Sequence, residues 1–246
     1  MIIGNKLIPI NYVFSIGYRC NSVQFVRKYN MSKFSGPFDW MYIDLDSSLC
    51  NIRDRFENYL SDISIKNDQS MKYMSQDYSA HMLPINSRFT EVNGNDLYDW
   101  EKICIFLHHN MSDPVEIEKI RLRTERFNDI ISTNSENVML VYISKILDDV
   151  KAEREFIISK INEHKIKSSV VCILCSPNTE DGINHIGNCL FISKKVDTYQ
   201  DQYNAGKADN EFEWLEWGMQ GINFDKEYEI IRSYFELENL ISKDEI

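Results

Sequence analysis

Short apolar runs recur along the chain, and segments with apolar residues at helical spacing lie between them. Apolar strands that alternate with helices predict an α/β fold, with a mostly parallel sheet and helices on both faces in three layers. The apolar runs predict strands at residues 12–17, 102–107, 137–144, 168–175 and 188–193. The helical spacing predicts helices at residues 20–29, 46–59, 114–131, 148–164 and 226–242.

Local signals predict where some of these elements begin. Asp46 is predicted to cap the second helix, and Asp113 followed by Pro114 marks the start of the third. Glycine and proline in SGPFDW predict a turn at residues 35–40. Residues 63–98 are polar without a clear period, so they are predicted to form a long irregular connection, which in a compact domain is often functional.

Composition narrows the class of protein. With 43% apolar residues and no convincing linker, residues 1–246 are expected to form one domain, whose candidate motifs fall in about residues 10–145. The net charge of -11 disfavours a nucleic-acid partner. The sequence predicts neither a signal peptide nor a membrane span. Six scattered cysteines in so long a chain indicate reduced thiols, so a cytoplasmic location is expected, and the oligomeric state stays open.

Cys20 stands where a predicted strand, a turn and a helix meet. In open α/β sheets, ligands bind beyond the carboxyl ends of strands, and Cys20 follows the first predicted strand. The start of a helix also stabilises anions, so this position is expected to lower the pKa of the Cys20 thiol. The pattern is compatible with a nucleophilic thiolate and also with a buried packing residue.

A cysteine nucleophile needs a base, and three histidines are candidates. His108 and His109 end the predicted strand at 102–107, and at most one of them faces a shared pocket, because adjacent strand residues point to opposite sides. His81 lies in the irregular stretch and is the reserve candidate. Asp39 either orients the imidazole or the substrate, or caps its own turn.

The other histidines and cysteines have simpler explanations. His164 falls on a polar helix face and is expected to be solvated, and His185 has no evident partner. Cys172 and Cys175 lie in a predicted strand, so they are expected to pack in the core. No histidine–cysteine spacing matches a metal-ligand motif and no glycine-rich nucleotide loop is present, so neither a metal nor a cofactor is predicted.

The segment from Phe14 to Phe56 combines an S-x-G-x-x-C turn, a helix and a P-F-D-W turn. This combination resembles the opening of a bacterial and viral family of unknown function whose members are described as papain-like cysteine peptidases. The later segments FLHHN, RLRTERFNDII and NVMLVYIS resemble its second block, so the resemblance covers about the first 145 residues. It implies a site that includes Ser15, Gly17, Cys20, Pro37, Phe38, Asp39, Trp40 and the His108–His109 pair.

These features predict a cysteine hydrolase or acyltransferase, with Cys20 as nucleophile, a histidine as base and the amides after Cys20 as the oxyanion site. Its substrate is a peptide, an acyl compound or a glycan. Two alternatives are a surface-glycan enzyme (glycosyltransferase or esterase) whose pocket Cys20 only lines, and a non-catalytic interaction module. Arginines on the charged helix face are either solvated or reach toward an anionic substrate. The candidate substrate-binding residues are Ser15, Gly17, Tyr18, Arg19, Asn21, Pro37, Phe38, Trp40, Arg123 and Arg126.

Overall fold

The structure is a computed structural model that describes residues 7–18, 20–67, 82–90, 102–106, 109–197 and 222–237. The helices are α1 (Asn21–Lys28), α2 (Leu45–Arg53), α3 (Pro114–Asn134), α4 (Val150–Glu163) and α5 (Asp225–Tyr234). The strands are β1 (Ile8–Ile10), β2 (Tyr12–Ser15), β3 (Tyr42–Ile43), β4 (Ile63–Asn67), β5 (Met82–Asn86), β6 (Cys104–Ile105), β7 (Val138–Ile146), β8 (Ser169–Ser176), β9 (Gly182–Ile186), β10 (Cys189–Lys195) and β11 (Phe235–Leu237).

Five strands form the main sheet, in the order β2-β7-β8-β10-β9. The first four run parallel to one another, and β9 pairs antiparallel with β10. Every residue of β8 is buried, as is most of β7. Unbroken apolar runs of this kind are typical of parallel strands that are covered on both faces. The predicted α/β fold with a largely parallel sheet is therefore confirmed.

A second sheet contains four antiparallel strands in the order β3-β6-β5-β4, and it contradicts two predictions. The stretch at 63–98, predicted to be irregular, includes β4 and β5. The apolar run at 102–107 supplies only the short β6, which joins this antiparallel sheet rather than the parallel one. A short apolar run indicates a strand, but its partner depends on contacts that are remote in sequence. Separately, β1 pairs parallel with β11.

Aspartate side chains cap the starts of α2, α3 and α4. As predicted, α3 begins at Pro114, and the Asp113 side chain accepts a hydrogen bond from a backbone amide of the first turn. The cap of α2 is Asp44 rather than Asp46, because the Asp44 carboxylate accepts the Ser47 amide at 2.8 Å. Asp44 and Asp46 both stand near the start of the helix, so the sequence allows either to be the cap. The backbone conformation decides that the cap is Asp44.

Two helices end earlier than their apolar periodicity predicts. α2 ends at Arg53 instead of continuing toward Tyr59, because Arg55 and Phe56 both adopt positive φ angles. The C-terminal helix ends at Tyr234 instead of residue 242, because the following residues form β11 and pair with β1. The apolar periodicity continues past the end of α2 because Phe56 and Tyr59 still pack into the core, and past the end of α5 because Phe235 does.

Alternating side chains of the main sheet enter two hydrophobic clusters. On β7, Leu140 and Tyr142 belong to the cluster that contains residues of α2, α3 and α4. Val141 and Ile143 belong to the other cluster, which contains residues of α1 and α5. The alternation follows the two-residue period of a β-strand. Helices therefore contribute apolar side chains to both faces of the sheet.

Candidate active site

Cys20 is the N-cap residue of α1 and follows the carboxyl end of β2. Its carbonyl oxygen accepts a hydrogen bond from the Gln24 amide at 2.9 Å, which begins the helical ladder. The backbone of Cys20 therefore stands at the first-turn N–H groups, which have no partner within a helix, but its side chain makes no capping hydrogen bond to them. None of the six cysteines forms a disulfide bond, and Cys20 and Cys50 are the two that are partly exposed. This is the strand–turn–helix position that the sequence predicts.

The turn before Cys20 packs closely against β3. Gly17 has a φ of +111°, and a Cβ atom at this position would lie 2.7 Å from the carbonyl oxygen of Ile43. The hydroxyl of Tyr18 lies 2.6 Å from that of Tyr42. Gly17 and Tyr18, both predicted to bind substrate, thus also join the Cys20 turn to the second sheet.

Ser22, which is not among the predicted site residues, supports the same turn. It is fully buried in α1. Its hydroxyl donates to the Gly17 carbonyl and accepts a hydrogen bond from the Ile143 amide at 2.9 Å. The Tyr18 amide donates to the Ile143 carbonyl at 3.2 Å. Ser22 thus links the Cys20 turn to β7. The one sequence signal for this role is a serine at a position of α1 that faces the core.

Asp39 joins the end of β2 to the P-F-D-W turn. Its carboxylate accepts hydrogen bonds from the Ser15 hydroxyl at 2.8 Å and from the Gly36 amide at 3.1 Å. The guanidinium of Arg27 lies 3.6 Å from the same carboxylate. Burial raises the pKa of Asp39, and the two hydrogen bonds and the charges of Arg27 and Arg123 oppose this rise. The carboxylate therefore caps its own turn, which is one of the two roles predicted for it.

His109 contacts the backbone of that turn. Its Nε2 lies 3.0 Å from the carbonyl oxygen of Asp39, and its Nδ1 lies 2.8 Å from Oε1 of Glu116. The hydrogen bond from His109 lowers the pKa of Glu116, burial opposes this, and a hydrogen bond from Lys119 adds to it. Asp39 thus meets a histidine through its carbonyl group rather than its carboxylate. Glu116 gives no sequence signal, because glutamate is common in the first turn of a helix.

The remaining residues of the P-F-D-W turn anchor it. Phe38 is buried, and its ring centre lies 5.8 Å from that of Tyr59 in an edge-on arrangement. The hydroxyl of Tyr59 donates to the Pro37 carbonyl at 2.7 Å. Trp40 is partly exposed, and the guanidinium of Arg27 lies 5.1 Å from the centre of its ring. Phe38 is therefore a core contact, and Trp40 is the residue of this turn that a ligand can reach.

The two arginines of α3 occupy different environments. The guanidinium of Arg126 lies 4.8 Å from the centre of the Phe34 ring on the exposed side of the helix. Arg123 lies deeper, and its buried Nη1 has no hydrogen-bond partner among the described residues. The charge of Arg123 also opposes the rise in the pKa of Asp39 in the P-F-D-W turn. Asn21 is the first residue of α1. Arg19, His81 and His108 lie outside the described residues.

The other cysteines and histidines lie in structural settings. Cys172 and Cys175 are buried in the core as predicted, and burial raises the pKa of Cys175 to about 12. The expectation that His164 is solvated is wrong: it is buried, with Nε2 at 2.8 Å from Oδ1 of Asp46, because α4 packs against α2. His185 is exposed on β9.

Two features are absent from the described ranges, a metal-binding cluster and a membrane-spanning helix. No group of three or more histidine, cysteine, aspartate or glutamate side chains there is arranged to hold a metal ion. None of the helices in those ranges has both the length and the apolar character that crossing a membrane requires.

Residues 11–177 match the model of a family described as "Putative papain-like cysteine peptidase (DUF1796)". The match extends beyond the first 145 residues that carry the sequence resemblance, and it spans more than half of the chain. It includes Cys20, Asp39 and His109. No curated protein and no solved structure matches the chain significantly.

Proposed function

The chain belongs to this family, whose description is that of papain-like cysteine peptidases, and we propose that it is a cysteine hydrolase with Cys20 as its nucleophile. The position of Cys20 carries the proposal: the thiol is partly exposed, follows the carboxyl end of β2 and begins α1. The helix dipole and the first-turn N–H groups favour a thiolate at such a position. The other partly exposed thiol, Cys50, lies 3.6 Å from Asp54, and burial raises its pKa.

His109 is the base in this proposal. Its ring is fixed against the P-F-D-W turn, which the Asp39–Ser15 hydrogen bond ties to the end of β2. The same turn leads into β3, against which Gly17 packs. The turns that carry Cys20 and His109 are thus bound to a common framework. His81 and His108 are the alternative bases that the sequence indicates.

The reaction follows from these groups. In this proposal Nε2 of His109 leaves the carbonyl oxygen of Asp39 and accepts the proton of Cys20. The sulfur then attacks the carbonyl carbon of an acyl substrate, which is a peptide or an acyl ester. N–H groups at the start of α1 stabilise the oxyanion that forms. The bond to the leaving amine or alcohol then breaks, and that group takes the proton from His109. Water hydrolyses the remaining thioester, which releases the acid and restores the thiol.

A thiol nucleophile works only in its reduced form, and this bears on location. None of the six cysteines forms a disulfide bond. Thiols that stay reduced are characteristic of reducing compartments. We therefore propose a cytoplasmic location, where Cys20 would stay reduced. Expression in an oxidising compartment should oxidise the thiol of Cys20. Its reaction with iodoacetamide should then be lost until a reductant is added.

Alkylation by iodoacetamide, followed by mass spectrometry of each cysteine peptide, tests the proposal. Cys20 should react at least about tenfold faster than Cys50 near neutral pH, with a rate midpoint below the value of about 8.5 for a free thiol. Cys50→Ala should keep this fast reaction, and Cys20→Ala should abolish it. Equal rates at the two cysteines in the folded protein would refute the assignment of Cys20.

Histidine variants test the base separately. His109→Gln should slow the alkylation of Cys20 near neutral pH by about tenfold or more, because in this proposal Cys20 loses the base that takes its proton. His81→Gln and His108→Gln should leave the rate unchanged. A loss confined to either of those variants would transfer the role of base to that histidine while leaving Cys20 as the nucleophile.

A further inference from the structure

We propose that Arg27 and Trp40 form a specificity subsite that binds an acidic side chain of the substrate. This side chain would belong to the acyl part, about two or three residues before the residue whose carbonyl Cys20 attacks. The inference rests on the proposed function and names the substrate class, an extended peptide with a carboxylate near the scissile bond. Neither residue takes part in the covalent steps.

Cys20 and Arg27 lie on one face of α1. Cys20 already has helical backbone angles, with a φ of -73° and a ψ of -8°, so the helical period includes it. Residues seven apart complete almost two full turns, so Arg27 lies on the same side of the helix, about 10 Å further along its axis. Cys20, Arg27 and Gln24 between them are each at least partly exposed. An extended substrate bound at Cys20 can therefore follow this face to Arg27.

The contacts of Arg27 hold its guanidinium in place and leave donors for a ligand. The guanidinium donates to the Ser35 hydroxyl at 3.0 Å and lies 5.1 Å from the centre of the Trp40 ring. An arginine carries five N–H donors in a planar fork, and stacking on an aromatic ring pre-organises that fork. The side chain of Arg27 is 47% exposed, so a ligand can reach the donors that Ser35 does not use.

The backbone of Trp40 supports a role for its side chain. Trp40 has a φ of +64°, in the left-handed region that a bulky residue rarely adopts. Glycine or asparagine fits such a turn at lower cost. The ring is also partly exposed, so complete burial does not explain a tryptophan here. Strained residues of this kind concentrate at ligand sites, and here the ring stacks against the guanidinium of Arg27.

The charges around the subsite favour an anion. Among the described residues, Asp39 is the one carboxylate within salt-bridge distance of Arg27, at 3.6 Å. It already accepts hydrogen bonds from the Ser15 hydroxyl and the Gly36 amide. Burial raises the pKa of Asp39, and the charges of both Arg27 and Arg123 oppose this rise. Two guanidinium groups thus share one buried carboxylate, and a second carboxylate, from the substrate, would balance the remaining charge.

Peptide chloromethyl ketones test the subsite, because a thiolate displaces their chloride and becomes alkylated. The probes are acetylated tetra-alanine chloromethyl ketones in which each alanine in turn is replaced by glutamate or by glutamine. Glutamate about two or three residues before the one that bears the ketone should speed the alkylation of Cys20 at least about fivefold over glutamine there. High salt should reduce this preference, because it screens an exposed charge pair.

Variants assign the preference to its residues. Arg27→Gln should abolish the preference for glutamate, and Arg27→Lys should keep part of it, because lysine retains the charge without the planar fork. Trp40→Gly removes the ring at a φ that suits glycine and should also weaken the preference. Lys28→Gln is the matched control: it removes one positive charge from the same helix, but Lys28 bonds to Asp225, so the preference should equal that of the wild type.

The outcomes distinguish this inference from the proposed function. A Cys20 that reacts faster than Cys50 but shows no preference for glutamate would overturn the subsite and leave Cys20 as the nucleophile. An equal loss of preference in Lys28→Gln and Arg27→Gln would also overturn it, because general charge would then explain the effect. A Cys20 no more reactive than Cys50 toward iodoacetamide would overturn the proposed function itself. Thermal melting shows which variants are folded, and the comparison of glutamate with glutamine in the wild type needs no variant.

Discussion

At the scale of single residues, the Cys20 turn depends on Gly17 for two distinct reasons. Its φ of +111° lies in a region that side chains with a Cβ rarely adopt. A Cβ atom would also lie 2.7 Å from the Ile43 carbonyl oxygen, which belongs to the backbone of β3 and cannot rotate away. Any other residue at this position must therefore displace either the Cys20 turn or the second sheet.

Gly17→Ala is expected to lower the free energy of unfolding by about 3 kcal/mol, the upper end of the cost of a strained backbone residue. Gly187→Ala is the matched control, since Gly187 has a φ of +61° but no heavy atom of the described chain within 4 Å of its Cβ position. The control should lose only about 1 kcal/mol. Urea denaturation measures both. Equal losses would show that the contact with Ile43 has no energetic effect.

Sequence spacing predicts which residues meet at this site but not through which atoms. Ser15, Asp39 and His109 are all selected from their motifs, and the structure brings them together. The carboxylate of Asp39, however, binds Ser15 and its own turn, and only its carbonyl faces His109. Which group faces which neighbour is decided by the backbone of the turn, and a motif does not contain that information. The contact between Glu116 and His109 could not be predicted for the same reason.

At the scale of elements, a polar clamp joins α2 to α4. Asp46 on α2 lies 2.8 Å from Nε2 of His164 and 3.1 Å from Nζ of Lys160. Arg53, at the end of α2, lies 3.3 Å from Nδ1 of His164. Because arginine only donates, Nδ1 accepts and Nε2 carries the hydrogen that Asp46 receives. Burial raises the pKa of Asp46, but the bonds from His164 and Lys160 lower it overall.

Asp46→Asn should reduce the free energy of unfolding by about 1 kcal/mol at neutral pH, because the clamp loses its charge. A lowered pKa in the folded state means stability that is present above the unfolded value of about 3.9 and lost as the pH falls through the folded value. The difference between wild type and variant should therefore shrink on acidification below about pH 4. Denaturation series at several pH values measure it. Glu163→Gln is the control, since Glu163 shares Lys160 but is more exposed; a pH-independent difference for Asp46→Asn would contradict the clamp.

Element starts are more predictable than element partners. The Asp113–Pro114 signal is local, so it places the start of α3 correctly. The pairing of β6 is not local, and the prediction that it joins the parallel sheet is wrong. His109 still reaches the P-F-D-W turn, because β6 pairs with β3, which follows that turn in the chain. The motifs therefore select Ser15, Asp39 and His109, which contact one another, but not the sheet that brings them together.

At the scale of the whole molecule, the segment that matches the family does not contain a complete core. Residues 11–177 include β2, β7 and β8 but end before β10 and α5. Leu190 and Ile192 on β10 and Ile231 on α5 belong to the cluster that covers one face of β7 and β8. β11 also pairs with β1. We therefore propose that residues 1–246 fold as one three-layer domain.

A truncated chain of residues 11–177 should consequently fail to fold cooperatively. Loss of Leu190, Ile192 and Ile231 alone removes roughly 5–9 kcal/mol of apolar burial. That amount is comparable to the whole net stability of a domain, about 5–15 kcal/mol. Truncation would also expose the edge of β8 that pairs with β10 along its length. Thermal melting, monitored by near-ultraviolet circular dichroism, compares this chain with a control chain of residues 1–246. A sigmoidal melt and a native near-ultraviolet spectrum for the truncated chain would show that the family-matched segment is a domain by itself.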